Sequence, residues 1–174
     1  MGECGHAFRS VYDVGNRWLG WGMPPVPLVH AIEFYHELLS QGRIKVAKKF
    51  TETVTLHDPC NVVRGAGLHE KARDVVNRMC ESFVEMEPNR EHNYCCCAGG
   101  GVINCGPPYK KHRVESNRVK AEQISAAKLK GAKIVITPCH NCHSGIEDIV
   151  HHYELGVETK FLGDILYEVM EKPG

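Results

Sequence analysis

The chain alternates between two kinds of hydrophobic pattern. In five stretches apolar residues recur every three or four positions, which predicts amphipathic helices within 28–41, 70–81, 113–130, 146–153 and 162–169. Between these stretches lie short runs of apolar and β-branched residues, which predict strands at 53–57, 83–86, 133–137 and 157–161. The run Ile134-Val135-Ile136 is continuously apolar, as in a strand that is buried on both faces.

Strands that alternate with helices of this length imply right-handed βαβ units. The sequence therefore predicts an α/β fold in which a mainly parallel sheet is flanked by helices. The first 27 residues differ, because they are rich in glycine, proline and tryptophan, and Pro24, Pro25 and Pro27 prevent a helix just before residue 28. We expect 1–27 to be an irregular N-terminal segment, the remnant of a preceding domain, and 28–174 to be a cysteine-rich α/β domain.

Composition narrows the class of protein. The 174 residues are 43% hydrophobic and 24% charged, as in ordinary globular domains, which argues against a disordered or fibrous chain. Lys+Arg and Asp+Glu both number 21, so the basic surplus typical of nucleic-acid binding is missing. No stretch approaches the roughly 18 apolar residues of a membrane span, and the first residues lack the features of a signal peptide. We expect a cytoplasmic protein with no nucleic-acid partner and no membrane span of its own.

Nine cysteines carry most of the chemical information in the sequence. Nine is an odd number and the N-terminus shows no export signal, so a disulfide framework is a poor explanation. Thiols at short spacings in a reducing compartment indicate metal binding or redox chemistry instead. The cysteines are Cys4, Cys60, Cys80, Cys95, Cys96, Cys97, Cys105, Cys139 and Cys142.

Three groups of cysteines are expected to meet at one edge of the sheet. Cys60 follows the first predicted strand, and Cys139 and Cys142 follow the third. Open parallel sheets bind ligands at the carboxyl ends of their strands, so these two groups should lie close together there. The third group, residues 95–97, precedes three consecutive glycines, whose conformational freedom lets the backbone approach a bulky group.

Several kinds of site use such thiols. Cys139 and Cys142 alone match a thioredoxin-like redox pair, but that chemistry needs two thiols and here at least five converge. A structural zinc ion takes four ligands, usually in two close pairs, and Cys60 has no near partner. An iron–sulfur cluster accepts scattered thiolates, including adjacent cysteines that reach different irons, and it is the favoured hypothesis. Cys80 is expected to be a small buried hydrophobe. Cys4 and Cys105 are expected to have no special role.

The cysteine pattern resembles the cysteine-rich CCG domain of heterodisulfide reductases. It contains His57-Asp58-Pro59-Cys60, then Cys95-Cys96 before a glycine-rich run, then Pro138-Cys139-x-x-Cys142. The sequences at 99–108 and 139–143 resemble one branch, the K subunit of the membrane complex that serves dissimilatory sulfite reduction. The resemblance implies an oxidoreductase in which a noncubane [4Fe-4S] cluster is the site of disulfide reduction. It also implies the cluster ligands, which are Cys60, Cys95, Cys96, Cys139 and Cys142.

Three features depart from the family pattern. Cys97 stands where the family usually has the glycine of CCG, so it remains a candidate cofactor-binding residue, and either pair of the triplet is open as the iron-binding pair. One complete motif is present where many relatives have two, and Cys4-Gly5-His6-Ala7 is similar to the end of a degenerate first motif. The ferredoxin-like segment of the family is missing from this sequence. These features predict the C-terminal half of a longer protein.

Residues beside the cysteines carry further expectations. His140 and His143 flank Cys142 and are candidate proton donors to departing thiolates, because histidine titrates near neutral pH. Ordinary surface histidines are an equally good interpretation. Arg64 is expected either to neutralise charge at the site or to pair with an acid such as Glu70.

The resemblance also implies partners. The substrate would be a small protein that presents two cysteines on a mobile tail as a disulfide or trisulfide. Other subunits of a membrane-bound redox complex would bring the chain to a membrane. Two alternatives stay open: a non-catalytic electron-transfer or metal-stabilised docking module, and a subunit of a quinone-linked dehydrogenase. A coordination edge that is open to solvent would favour the enzyme, and an enclosed metal would favour the docking module.

Overall fold

Four parallel strands form the centre of the protein. The computed structural model describes residues 3–20, 22 and 26–172. The strands are slightly shorter than predicted and are β1 Val54–Leu56, β2 Phe83–Val84, β3 Ile134–Thr137 and β4 Glu158–Phe161. Their order in the sheet is β2-β1-β3-β4, and every neighbouring pair is parallel. The predicted α/β fold with a mainly parallel sheet is confirmed.

Helices cover both faces of the sheet. A π-helical turn at Ser10–Gly15 joins the first two helices, and 3₁₀ turns lie at Arg90–His92 and Val102–Asn104. None of the described helices is long and apolar enough to cross a membrane. In chain order the α-helices are α1 Gly5–Arg9, α2 Asn16–Leu19, α3 Ala31–Ser40, α4 Cys60–Val63, α5 His69–Met79, α6 Pro107–Glu115, α7 Arg118–Leu129, α8 His140–His152 and α9 Leu162–Val169.

Two hydrophobic cores lie on opposite faces of the sheet, and β3 contributes to both. Ile134 and Ile136 pack in the core formed with α3, α5 and α9, whereas Val135 packs in the core formed with α7 and α8. Successive side chains of a strand point to opposite faces, so a strand covered on both sides is apolar on both. All four residues of β3 are buried, as the continuous apolar run predicts.

The strand order brings the connections that carry the cysteines side by side. The chain leaves β1 through α4 and α5 and reaches β2 on one side, whereas it leaves β3 through α8 and reaches β4 on the other. β1 and β3 are neighbours, with Leu56 paired to Ile136. Their following segments therefore diverge from adjacent strand ends. In open α/β sheets, a ligand binds in the crevice at such a switch point.

The prediction of a single helix at 113–130 is wrong, because two helices occupy this region. The first, α6, begins at Pro107, whose fixed φ suits a first helical position. The chain turns at Asn117, where φ is −102° and ψ is 31°, and its side-chain amide donates to the carbonyl of Cys95 at 3.0 Å. Both helices face the same hydrophobic core, so the apolar spacing continues across the turn and hides it.

The N-terminal segment is helical from residue 5 to residue 19, in contrast to the irregular structure predicted for 1–27. Gly5 is the one buried residue of this stretch, so the apolar stripe that reveals a helix in a sequence is missing. Pro24 and Pro25 lie outside the described residues. The interpretation of the segment as the remnant of a preceding domain stays a prediction.

A buried ion-pair network holds the chain that follows β1. The guanidinium of Arg73, on α5, donates to both carboxylate oxygens of Asp58 at 2.9 and 2.8 Å and to those of Glu85 at 2.6 and 2.8 Å. Asp58 also accepts the backbone N–H of Arg90 at 2.7 Å. The side chains of Asp58 and Arg73 are 1% and 5% exposed, so water and salt screen their attraction little. The network therefore fixes the segment between β1 and Cys60.

Replacing Arg73 should test how much the fold depends on this network. We expect Arg73→Leu to lower the free energy of unfolding by about 3–5 kcal/mol, because the Asp58 carboxylate stays buried without its partner charge. Urea denaturation measures the loss. Arg78→Leu on the same helix is the matched control, since Arg78 pairs with Asp74 at an exposed site and such pairs contribute about 0–1 kcal/mol. Equal losses in the two variants would contradict this role of Arg73.

Candidate functional site

Six of the nine cysteines form one connected group of thiols. Cys60 is the first residue of α4, and Cys139 precedes α8 as its N-cap. Cys142 lies in the first turn of α8, and residues 95–97 lie in the loop between the two 3₁₀ turns. The sulfurs of Cys96 and Cys142 are 3.0 Å apart and buried. This contact joins the loop to the helix that follows β3.

Further interactions between thiols connect the rest of the group. The pairs that shift each other's pKa are Cys95 with Cys60, Cys96 and Cys97, and Cys142 with Cys96 and Cys139. The structure thus brings together every cysteine that the sequence predicts to bind the cofactor. Their role as ligands stays a prediction, because no contact between thiols distinguishes a ligand from a neighbour.

The cysteine loop folds back on itself. The backbone N–H of Cys97 donates to the sulfur of Cys95 at 3.2 Å. Cys97 has a φ of 56° and Gly101 a φ of 85°, both in the left-handed region. A residue with a side chain pays about 1–2 kcal/mol for this conformation, which glycine adopts freely. Cys97 therefore occupies a backbone position that favours glycine.

A glycine on α8 allows this helix to approach the cysteine loop. A Cβ atom at Gly145 would stand 2.5 Å from the Cβ of Ala98 and 3.1 Å from the carbonyl oxygen of Cys96. Both distances are too short for a side chain to fit without movement of the loop or the helix. The short separation between the sulfurs of Cys96 and Cys142 therefore depends on Gly145.

The thiols of the loop differ in acidity. Contacts with the thiols of Cys60, Cys96 and Cys97 hold the pKa of Cys95 well below its ordinary value. The contact with Cys95 raises the pKa of both Cys60 and Cys97, and burial adds to the effect. At Cys96 the contact with Cys142 favours the thiolate, but the contact with Cys95 and burial outweigh it and raise the pKa to about 12.

The pKa values of Cys139 and Cys142 also shift in opposite directions. The contact with the Cys142 thiol, helped by backbone N–H groups of Cys142, Gly5 and Asn141, lowers the pKa of Cys139 to about 6. The same contact raises the pKa of Cys142 well above its ordinary value. Within the group, the thiolate form is therefore favoured at Cys95 and Cys139. Metal binding would release the protons of the others.

Two buried cationic side chains lie near the thiols, and the sequence predictions miss both. Lys120, on α7, is fully buried, and burial lowers its pKa to about 7 against the attraction of the Cys96 and Cys142 charges. Arg113, on α6, is also buried, and it pairs with Asp148 and acts on the thiol of Cys97. The available signal for Lys120 was its place on the apolar stripe of α7, where a charged residue is rare.

His57 is a further site residue to which the sequence assigns no role. A ring nitrogen of His57 and the sulfurs of Cys96 and Cys142 all lie within 4.8 Å of one another. The residue is 1% exposed, and its Nδ1 is 3.3 Å from the amide nitrogen of Asn93. Burial, followed by the charge of Lys120, lowers the pKa of His57, which favours the neutral imidazole.

The two predicted proton donors lie on the outer side of the site. His140 is exposed and His143 is half-buried. Both rings stack on Phe161, with centroid separations of 5.7 and 4.1 Å. Nδ1 of His143 is 4.0 Å from a carboxylate oxygen of Glu147. A role of either histidine in proton transfer stays a prediction.

The expected pairing of Arg64 with Glu70 is wrong. The guanidinium of Arg64 donates to the backbone carbonyls of Glu91 and Asn93 at 2.6 and 2.5 Å. Glu70 pairs with Arg90 at 2.6 Å instead. Carbonyl groups of a loop compete well for a guanidinium, because its five donors need several acceptors. Arg64 thus fixes the main chain just before the cysteine loop.

The other three cysteines stay apart from the thiol group. Cys80 is 5% exposed and packs in the core on the opposite face of the sheet, as predicted for a small buried hydrophobe. Burial raises the pKa of Cys80 to about 11. Cys4 caps α1, where its sulfur accepts the N–H of Ala7 at 3.5 Å, and Cys105 is exposed.

The donors of the site fit an iron–sulfur cluster. Six thiols from three segments exceed the four ligands of a tetrahedral zinc ion, and clusters take thiolates from scattered positions. Within the part of the chain that the structure describes, three buried nitrogens near the thiols have no hydrogen-bond partner: Nε2 of His57 and Nε and Nη1 of Arg113. Buried donors of this kind can bond to the sulfurs of an anionic cluster.

Comparisons with known proteins identify the family that the chain resembles. The family model described as "Cysteine-rich domain" matches residues 54–147. The chain is 38% identical over 118 residues to a subunit of the dihydromethanophenazine:CoB–CoM heterodisulfide reductase of Methanosarcina mazei, which covers 67% of this chain and 28% of that protein. It is 30% identical over 192 residues to the Hdr-like menaquinol oxidoreductase iron-sulfur subunit 2 of Archaeoglobus fulgidus, which covers 91% of this chain and 34% of that protein. It is 27% identical over 152 residues to the EtfAB:quinone oxidoreductase of Syntrophomonas wolfei, which covers 82% of this chain and 20% of that protein.

The chain thus spans about a fifth to a third of the length of these curated relatives. No solved structure matches it. The predicted resemblance to heterodisulfide reductases is confirmed, whereas the branch of the sulfite-reduction K subunit stays a prediction. The match covers both strands of the switch point and all six connected thiols. The chain belongs to the cysteine-rich (CCG) domain family of heterodisulfide reductase-like subunits.

Proposed function

We propose that this chain is the iron–sulfur domain of a heterodisulfide reductase-like oxidoreductase. In this proposal the thiol group holds a noncubane [4Fe-4S] cluster at which a disulfide or trisulfide is reduced. The observation that carries the proposal is the buried 3.0 Å contact between the sulfurs of Cys96 and Cys142, which unites thiols from distant parts of the chain. The names of two relatives, a heterodisulfide reductase subunit and an iron–sulfur subunit, support the chemistry.

The geometry favours one choice within the cysteine triplet. Cys97 has the left-handed backbone that glycine prefers, which supports its place at the glycine position of the family motif. Cys95 and Cys96 are then the pair that binds iron, with Cys97 beside them. The proposed ligands are Cys60, Cys95, Cys96, Cys139 and Cys142.

The thiol group has an open side and a closed side. Cys95 is exposed and Cys60 is half-buried, whereas Cys96, Cys139 and Cys142 are buried. When bound, an iron–sulfur cluster supplies single electrons, two of which convert a disulfide into two thiolates. The side of Cys60 and Cys95 is therefore the side that a substrate sulfur can reach. An open edge supports an enzyme over an enclosed docking module.

Charged and titratable side chains complete the proposed site. Lys120 acts on the thiols of Cys96 and Cys142, and Arg113 on that of Cys97, where positive charge offsets the charge of a thiolate. His140 and His143 lie at the beginning of α8 beside Phe161, in reach of water, and are proposed to give protons to the thiolates of the product.

The proposed substrate is a small protein with two cysteines on a mobile tail, presented as a disulfide or trisulfide. Such a tail could bring its sulfurs to the exposed thiol of Cys95 and the half-buried thiol of Cys60. Other subunits of a membrane-bound redox complex are the proposed electron partners, in sulfite or sulfate respiration. They would hold a cytoplasmic domain of this kind at the membrane.

A second function is favoured by two of the relatives. Their names identify a menaquinol oxidoreductase subunit and a quinone oxidoreductase, so the chain is also a candidate subunit of a quinone-linked dehydrogenase. The loaded protein distinguishes the two functions by its response to oxidants. A cluster signal that changes with a trisulfide peptide but not with a quinone supports disulfide chemistry, and the reverse supports the dehydrogenase.

The ligand assignment predicts different results for two cysteine variants. We expect Cys96→Ser to abolish the EPR signal of the oxidised, reconstituted protein, because a serine hydroxyl is a far poorer ligand for iron than a thiolate. Cys80→Ser is the control, since this cysteine lies in the opposite core. It should keep the signal and lose on the order of 1 kcal/mol of stability through a polar group in an apolar site. A retained signal in Cys96→Ser would refute this ligand set.

The close approach at Gly145 predicts an effect on iron binding from a residue that is not a ligand. Gly145→Ala should lower both the iron content after reconstitution and the stability, the latter by about 1–3 kcal/mol, because the added methyl group separates α8 from the loop. Iron assay and urea denaturation measure the two effects. Ser144→Ala is the neighbouring control and should bind iron normally, and full iron content in Gly145→Ala would contradict the proposed geometry.

Removal of the metal should leave most of the fold intact. The cores on both faces of the sheet contain apolar residues from strands and helices that do not depend on the thiols. We expect the far-UV circular dichroism spectrum to change little after chelation, whereas the loop at 93–108 becomes mobile because its glycines bury little surface. A coil-like spectrum of the metal-free protein would contradict this prediction.

A further inference from the structure

A line of buried polar groups runs behind the thiols, and every hydrogen bond in it has a determined direction. It begins at Gln123, whose side-chain NH₂ donates to the backbone carbonyl of Pro88. A carbonyl only accepts, so the amide oxygen of Gln123 is the atom that faces Lys120. Nζ of Lys120 therefore donates to this oxygen.

Asn93 is the next group, and it is oriented from two sides. Its Oδ1 accepts from Nζ of Lys120 at 2.9 Å, and its Nδ2 donates to the backbone carbonyl of Asp58 at 3.1 Å. The backbone carbonyl of Asp58 cannot donate, so the amide cannot be flipped. The same Nδ2 lies 3.3 Å from Nδ1 of His57 and therefore donates to it.

This contact determines the tautomer of His57. A neutral imidazole has one nitrogen that donates and one that accepts. Because Nδ1 accepts from Asn93, the proton is on Nε2. Within the described residues Nε2 is buried and has no hydrogen-bond partner, and the ring adjoins the sulfurs of Cys96 and Cys142.

We propose that His57 donates its Nε2–H to the sulfurs of the centre held by Cys96 and Cys142, and that Asn93 and Lys120 are positioning residues which hold this tautomer. The inference rests on the proposed iron–sulfur function and adds a residue to it. It also excludes His57 as a metal ligand, because a ligand nitrogen needs the lone pair that the proton on Nε2 occupies.

The N–H group should affect the energy of electron transfer. A hydrogen bond to a ligand sulfur stabilises the more negative, reduced state of a cluster, and such bonds are among the factors that set its potential. Loss of the donor should therefore make the midpoint potential more negative. Loss of a residue that only fills space would leave the potential unchanged.

The tautomer of His57 is measured directly by ¹⁵N NMR of the full chain labelled at histidine, and this first test does not depend on iron uptake. In the unmodified chain we expect His57 to carry its proton on Nε2. A second test uses Asn93→Asp, which replaces the donor by a carboxylate that only accepts, so Nδ1 should gain a proton in this variant. A proton on Nδ1 in the unmodified chain, or an unprotonated Nδ1 in Asn93→Asp, would overturn the inference.

The reconstituted protein supplies the second readout. His57→Phe keeps the ring but removes the N–H, and we expect a more negative midpoint potential with an unchanged iron content. His112→Phe, at an exposed position of α6, is the control and should keep the potential. An unchanged potential in His57→Phe, or the strong ¹⁴N coupling of a nitrogen ligand in pulsed EPR of the unmodified protein, would overturn the inference. Failure of the unmodified chain to bind iron would instead refute the proposed function and leave the tautomer result standing.

Discussion

Six thiols that are linked pair by pair repel one another when all are thiolates, and a cation among them relieves this repulsion. The site is built around this constraint. The contacts lower the pKa of Cys95 and Cys139 and raise that of the thiols beside them. Lys120 and Arg113 are two buried basic side chains near the group, and Arg113 is already paired with an acid. Iron would replace the remaining protons and relieve the repulsion, which is the physical reason to assign a metal centre here.

The fold brings the thiols close together through a small number of local structural features. The switch between β1 and β3 brings two chain segments to adjacent strand ends. The left-handed backbone at Cys97 turns the loop back on itself, and Gly145 allows α8 to approach it. Asp58, held by Arg73, fixes the segment that leads to Cys60. None of these features depends on the metal, so the thiols are positioned by the protein alone.

The sequence predicts the parts of this arrangement that follow from periodicity and strand order. The strands, the parallel sheet and the convergence of Cys60 with Cys139 need only the hydrophobic pattern and the rule for ligand sites at strand ends. The turn at Asn117 leaves no trace in that pattern, because the helices on either side face one core. Its cause is a hydrogen bond to Cys95, a contact between residues far apart in the sequence.

Polar contacts explain the other differences from the sequence predictions. Arg64 binds backbone carbonyls whose positions depend on the folded loop. The spacing of residues in the sequence therefore does not predict these partners. The connection from Lys120 through Asn93 to His57 crosses three chain segments and has no periodic signal. It lies on the closed side of the thiols, while Cys60 and Cys95 lie on the open side. In the proposed function, the closed side controls the centre and the open side gives access to it.

The most direct test of the metal centre is an anaerobic assay of iron and acid-labile sulfide on the reconstituted chain, combined with EPR of the oxidised protein. We expect about four irons and about four sulfides per chain, as in a [4Fe-4S] cluster, with an EPR signal that changes when a trisulfide peptide is added. A single metal ion per chain with no labile sulfide would contradict the assignment, because it would make the thiol group a structural metal site.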